Sequence, residues 1–176
     1  MTNPGVEGDY LGMPLRIEGL DRENLAFFRH CAAHQLHLQR CRSCALLRYP
    51  PTTGCPWCGH PESIWAPVEA RGAVFTYAEV RHAIQPAFRA HVPYLILIVE
   101  LDDQKGAPGE HDALRLAGNL VTEAGELAPP ETVAEVGIGT RVRIAFKDVA
   151  DGLAVPLWTI DRDAPQPASP WRYPQE

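Results

Sequence analysis

Cys41-Arg-Ser-Cys44 is followed, ten residues on, by Cys55-Pro-Trp-Cys58-Gly59. Two C-x-x-C pairs at this separation let four thiolates converge as a tetrahedron around one Zn²⁺ ion. Each pair makes a tight knuckle, and Gly59 supplies a residue that takes positive φ without steric cost. The intervening segment carries Pro50, Pro51 and Gly54, which suit folding one knuckle over the other. The gap is shorter than the roughly fifteen to twenty residues of the commonest zinc template, as expected of a compact ribbon. Four thiolates on a divalent ion leave a formal charge of about minus two, and Arg40, Arg42 and Arg48 lie close enough in sequence to offset it. A closed four-sulfur shell has no site for water, so the ion is expected to be structural. Iron in the same four-sulfur site, and four thiols without metal, are the competing readings.

Outward from the knuckles the pattern changes twice. Before them, Asp21 can cap a helix running to about Leu38, with Leu25, Phe28 and Ala32 on one apolar stripe. Cys31 lies within it as an inert thiol, and His30, His34 and His37 follow helical spacing as a polar face. Residues 1–20 read as an arm, extended and weakly patterned. Residues 21–65 form the helix and zinc ribbon. From 66 to 160 the chain is strand-rich. Val74–Val80, Tyr94–Leu101, Ala113–Val121, Arg141–Lys147 and Leu153–Ile160 are five strands, and Pro129–Val136 is a short helix between the third and fourth. Five strands in that order suit a five-stranded OB-fold barrel. Residues 161–176 hold four prolines and read as a flexible tail. The expected fold class is mainly β: N-terminal helix, ribbon, then barrel.

Composition narrows the function. The 176 residues are 45% hydrophobic and 22% charged, an ordinary globular balance, with net charge -6. An acidic chain without a basic, aromatic-interleaved stripe is a poor fit to nucleic acid. No apolar run reaches the ~18 residues of a membrane helix. The N-terminus has no basic start followed by an apolar core, so no signal peptide is expected and the cytoplasm is the expected compartment. The G-x-S-x-G, P-loop, G-x-G-x-x-G and H-E-x-x-H signatures are absent, and no catalytic residue is expected.

The ordered combination Leu38-Gln-Arg-Cys-Arg-Ser-Cys44, Tyr49-Pro-Pro51, Cys55-Pro-Trp-Cys-Gly59, Gly72-Ala-Val-Phe-Thr-Tyr77, Val92-Pro-Tyr94, Val99-Glu-Leu-Asp102 and Ile138-Gly-Thr-Arg-Val142 resembles the acyl-CoA-associated proteins that join a rubredoxin-like zinc ribbon to an OB-fold. The resemblance covers residues 21–160. It implies a non-catalytic accessory subunit that assembles with a thiolase-like enzyme, including the lipid-transfer-protein aldolases of steroid side-chain degradation, or with a MaoC-type hydratase. It also implies that such a subunit helps hold or pass acyl-CoA thioesters, and that Cys41, Cys44, Cys55 and Cys58 hold structural zinc. The CoA phosphates need local cations, since residues 66–160 hold 8 Lys plus Arg against 13 acids. Arg81, His82 and Arg89, beside Pro86, Phe88 and Pro93 in the loop after the first barrel strand, are the candidates. A nucleic-acid-binding ribbon and barrel module, or a rubredoxin-like electron carrier, are the alternatives.

Overall fold

The computed structural model describes residues 4–174. Their chain forms two compact units that interleave along the sequence. The first takes residues up to Glu69 with Asp103–Leu114 and Phe146–Pro156. The second takes Ala70–Asp102, Arg115–Ala145 and residues from Leu157 onward. The sequence reading divides the chain into consecutive segments, 1–20, 21–65, 66–160 and 161–176. Among the described residues no helix is long and apolar enough to cross a membrane.

The first unit opens with a β-hairpin where the sequence suggests a weakly patterned arm. Strands β1 (Val6–Tyr10) and β2 (Met13–Ile17) pair antiparallel from Val6↔Ile17 to Tyr10↔Met13. The connecting Leu11 and Gly12 both have positive φ, 57° and 86°, as the right-handed twist of a two-residue hairpin demands. Leucine is an unusual choice for that position, which is why the turn is hard to see in the sequence. Gly8 packs closely: a Cβ there would meet Val149 O at 3.0 Å and Leu153 Cδ2 at 3.1 Å.

Helix α1 (Arg22–Ala32) begins as expected, with Asp21 Oδ1 accepting the Asn24 N–H at 3.1 Å. It stops six residues short of Leu38. The Ala33 N–H turns back to Arg29 O and His30 O, and His34 takes φ 54°. His37 and Leu38 are needed elsewhere, in β3 (His37–Cys41). The buried helix residues are Leu25, Phe27 and Cys31; Phe28 of the expected stripe is half-buried instead. The histidine row is accordingly broken. His37 sits on β3 with its ring stacked on His30 at 4.0 Å, while His34 Nε2 meets Asp148 Oδ1 at 2.9 Å. β3 is the centre of a three-stranded antiparallel sheet between β4 (Leu47–Arg48) and β5 (Ser63–Pro67).

A five-stranded sheet is formed by β6 (Arg71–Val80), β7 (Tyr94–Leu101), β8 (Arg115–Asn119), β9 (Arg141–Ala150) and β10 (Leu153–Ile160), ordered β10-β9-β6-β7-β8. Phe146–Pro156, the end of β9 and the start of β10, count with the first unit and the rest with the second. A parallel bridge between Leu120 and Trp158 joins the two ends of that order. Closure through a parallel contact of the third and fifth strands is the topology of the OB barrel. Helix α2 (Pro130–Glu135) falls between the third and fourth strands, as expected. The apolar run in β7 is buried on one face only: Leu95, Leu97, Val99 and Leu101 are inaccessible, while Ile96 is exposed. Alternation with period two puts the first set in the barrel core, with Val74, Leu116, Val142 and Trp158.

Residues 162–174 are strapped rather than loose. Trp171 pairs with Ile138, Arg172 donates to Val133 O at 2.7 Å and to Val136 O, and the Tyr173 N–H meets the Tyr77 hydroxyl at 2.9 Å. Arg172 thereby satisfies carbonyls at the end of α2 that would otherwise lack partners. Proline content concealed this, because the anchoring is done by one backbone bridge, the Arg172 side chain and the Tyr173 N–H.

Candidate metal centre

The two knuckles have the same backbone design. In the first, the Ala45 N–H donates to Cys41 O (3.1 Å) and the Cys41 N–H to Leu46 O (3.0 Å). In the second, the Gly59 N–H donates to Cys55 O (2.9 Å) and the Cys55 N–H to His60 O (2.9 Å). The residue after each second cysteine turns left-handed, Ala45 at φ 62° and Gly59 at φ 76°. The sequence identifies Gly59 for this role; the equivalent Ala45 carries the strain of a Cβ. Two substitutions separate the effects. A Cβ at residue 59 would meet nothing within 4 Å, so Gly59→Ala is expected to cost about 1 kcal/mol from φ alone. Ala45→Gly should stabilise by about half that. Denaturation midpoints of the metal-loaded proteins measure both, and a destabilised Ala45→Gly would refute the account.

These turns aim the four thiols inward. Cys41 Sγ lies 3.6 Å from Cys58 Sγ, and Cys44 Sγ lies 3.6 Å from Cys55 Sγ. All four sulfurs fall within 4.8 Å of one another. Four ligands at the usual Zn–S distance sit about 3.8 Å apart at the corners of a tetrahedron, so the set has the size of one metal ion. None of the four is in a disulfide. Without an ion the thiols share protons unevenly. Burial raises Cys55, but N–H groups of Cys58 and Trp57 and the thiols of Cys44 and Cys58 outweigh it and bring it to about 6. At Cys44 the Leu46 N–H favours the thiolate, yet burial and the other three thiols push it up to about 12. Four adjacent thiolates therefore need a cation to exist together. Cys31 stands apart, fully buried and pushed up to about 12 by that burial, and is inert.

Beside the cysteines lies a network absent from the sequence reading. Arg48 is 2% and Gln39 5% exposed. Arg48 Nε donates to Gln39 Oε1 (2.9 Å), and Arg48 Nη2 donates to Thr52 O (2.9 Å) and Ser63 Oγ (3.1 Å). A second unforeseen feature is a cleft of about 850 Å³ on the first unit, lined by Leu15, Ile17, Leu20, Phe28, Leu153 and Val155 with a polar rim that includes Arg16 and Asp21. Only folding joins residues 15–28 to 153–155, although the alternating Leu15 and Ile17 were a signal. Arg81, His82 and Arg89 are all exposed. Arg81 is engaged by Glu79 at 2.9 Å, and Phe88 of the same loop turns inward against Tyr94.

A family model described as "ChsH2, C-terminal OB-fold domain" matches residues 65–147. Among relatives, a "Probable enoyl-CoA hydratase alpha subunit" of Thermomonospora curvata is 37% identical over 141 residues, 79% of this chain, which spans only 38% of that protein's length. A "DUF35 domain-containing scaffold protein" of Methanocaldococcus jannaschii is 29% identical over 113 residues, 64% of this chain and 67% of that one. Among solved structures, a chain of the "Ltp2-ChsH2(DUF35) aldolase" superposes with TM-score 0.62 at 28% identity, covering 80% of this chain and 95% of that one. The four-cysteine cluster followed by a ChsH2-type OB-fold fits the acyl-CoA-associated DUF35 family.

Proposed function

We propose that this chain is a non-catalytic accessory subunit of acyl-CoA metabolism. In this reading it assembles with a thiolase-like enzyme, a thiolase or retro-aldolase, or with a MaoC-type hydratase. It helps that enzyme hold or pass acyl-CoA thioesters in lipid breakdown, steroid side chains included, in the cytoplasm. The observation that carries the reading is the match to the Ltp2-ChsH2(DUF35) aldolase chain, which extends over 95% of that chain. The scaffold name of one relative and the hydratase-subunit name of another support it.

Cys41, Cys44, Cys55 and Cys58 are the residues that would hold Zn²⁺. When bound, the ion supplies cross-linking and no chemical step, because four sulfurs fill its shell. The knuckle turns orient the thiolates, and the β3–β5 ladder keeps Cys41 in place. Arg81, His82 and Arg89 are the side chains assigned to the phosphates of CoA.

The test is the identity of the protein that co-purifies with this chain from native extract. A thiolase-like, aldolase or hydratase subunit is expected. Salt-sensitive, sub-micromolar binding of single-stranded nucleic acid with no such enzyme retained would overturn the reading in favour of a nucleic-acid module.

A further inference from the structure

Of the three arginines near the cysteines, Arg40 and Arg42 point to solvent, and Arg48 alone is buried. Its partners, Gln39 Oε1, Thr52 O and Ser63 Oγ, are all neutral. Among the described residues it has no ion pair, and its Nη1 is buried without a hydrogen-bond partner. Arg48 borders a polar cleft of about 560 Å³ that also carries Glu23 and Glu62, yet neither forms an ion pair with it. A buried guanidinium without a direct anion is unfavourable, so negative charge held close to it is stabilising.

The strand registers place the Cys41 thiolate on the same face as this guanidinium. Gln39 precedes Cys41 by two residues on β3, and side chains two apart on a strand share a face. Arg48 is opposite Gln39 across the β3–β4 ladder. Ser63 is opposite Cys41 across the β3–β5 ladder, where paired residues have their Cβ atoms about 5 Å apart. The guanidinium binds the side chains that flank Cys41 along its strand and across it. It therefore occupies the face of the sheet that carries the Cys41 thiolate. Gln39 and Ser63 act as its positioners.

We infer that Arg48 is the internal counter-charge of the metal–thiolate centre, offsetting part of the formal negative charge that four thiolates leave on a divalent ion. The inference rests on the reading that the four cysteines hold a metal, and metal analysis of the unaltered protein tests that reading separately. An unaltered chain that folds without metal removes both. A metal-loaded unaltered chain leaves the Arg48 question to its variants.

The experiment compares Arg48→Gln, which removes the charge, with Arg48→Lys, which keeps it, in the full chain. Zinc affinity is measured by competition with a chromogenic chelator. Residues supporting metal ligands typically contribute about 10- to 100-fold in affinity, and a loss of at least 10-fold is expected in Arg48→Gln, against about 3-fold or less in Arg48→Lys. The iron-substituted protein gives a second readout, since loss of a nearby positive charge lowers the reduction potential whereas loss of a mere brace does not. The potential should fall in Arg48→Gln and stay near the parent in Arg48→Lys. Equal losses of affinity in the two variants, or an unchanged Arg48→Gln, would overturn the inference. Should Arg48→Gln fail to fold, Arg48→Lys decides alone: affinity kept within about 3-fold upholds the counter-charge, and a 10-fold loss refutes it.

Discussion

Cys55→Ser is expected to abolish metal binding, unfold residues 41–65 and prevent assembly with the proposed partner enzyme. The segment has little else to fold it. Its regular structure is the two-residue β4 with the last residue of β3 and the first three of β5, and its buried apolar side chains are few. Such a segment needs a staple. Structural zinc contributes about 10–16 kcal/mol to small Cys/His modules, as much as the whole net stability of a typical domain, about 5–15 kcal/mol. Cys55 is buried, its N–H closes the second knuckle on His60 O, and its thiol is held near pKa 6 before any ion binds. Serine offers a weak oxygen ligand in a smaller radius. Metal analysis, amide hydrogen exchange over residues 41–65 and retention of the co-purified enzyme check the three parts. A variant that keeps one metal per chain and still assembles would show the ribbon to be dispensable. A red, redox-active parent protein would change the ion from zinc to iron while leaving this expectation in place.

The metal site was legible because its chemistry is written in residue type and spacing alone. Two pairs of cysteines at C-x-x-C spacing constrain the sulfurs before any tertiary contact is known. The barrel strands were nearly as plain: β7 and β10 have the boundaries that alternation and β-branched content indicate, Tyr94–Leu101 and Leu153–Ile160. Closure was not legible, since it depends on one parallel bridge between residues 38 positions apart, Leu120 and Trp158. Local signals also failed where tertiary pairing outweighed them. The stretch from Ala33 to Leu38 is compatible with helix, but pairing of His37 with Pro67 and Leu38 with Ala66 draws it into β3. The hairpin at Val6–Ile17 escaped notice because Leu11-Gly12 is not a favoured turn pair. Arg48 was visible as a charge near the cysteines. Its burial, which makes it different from Arg40 and Arg42, was not.

Gly72→Ala is expected to destabilise the barrel by about 3 kcal/mol, lowering the thermal midpoint by about 10 °C for a chain of this size. An added Cβ would lie 2.1 Å from Glu100 O and 2.9 Å from both Glu100 C and Val99 Cγ1. The first of these is backbone, so no rotamer change clears it. Nor can β6 step aside. Gly72 is paired with Leu101 of β7 on one side and Val142 of β9 on the other, so movement away from β7 compresses the second ladder. The β6–β7 ladder already has its register shift between Val74 and Thr76, and the clash falls two residues before it, where pairing is continuous. The contrast with Gly59 is informative, because there an added methyl group meets open space and only the left-handed backbone resists it. The same chemical change thus costs about 1 kcal/mol at a knuckle through conformation and about three times as much in the barrel through steric exclusion. Thermal unfolding of the two variants side by side tests this ordering. Equal or inverted losses would mean that β6 and β7 do not approach as closely as the barrel requires.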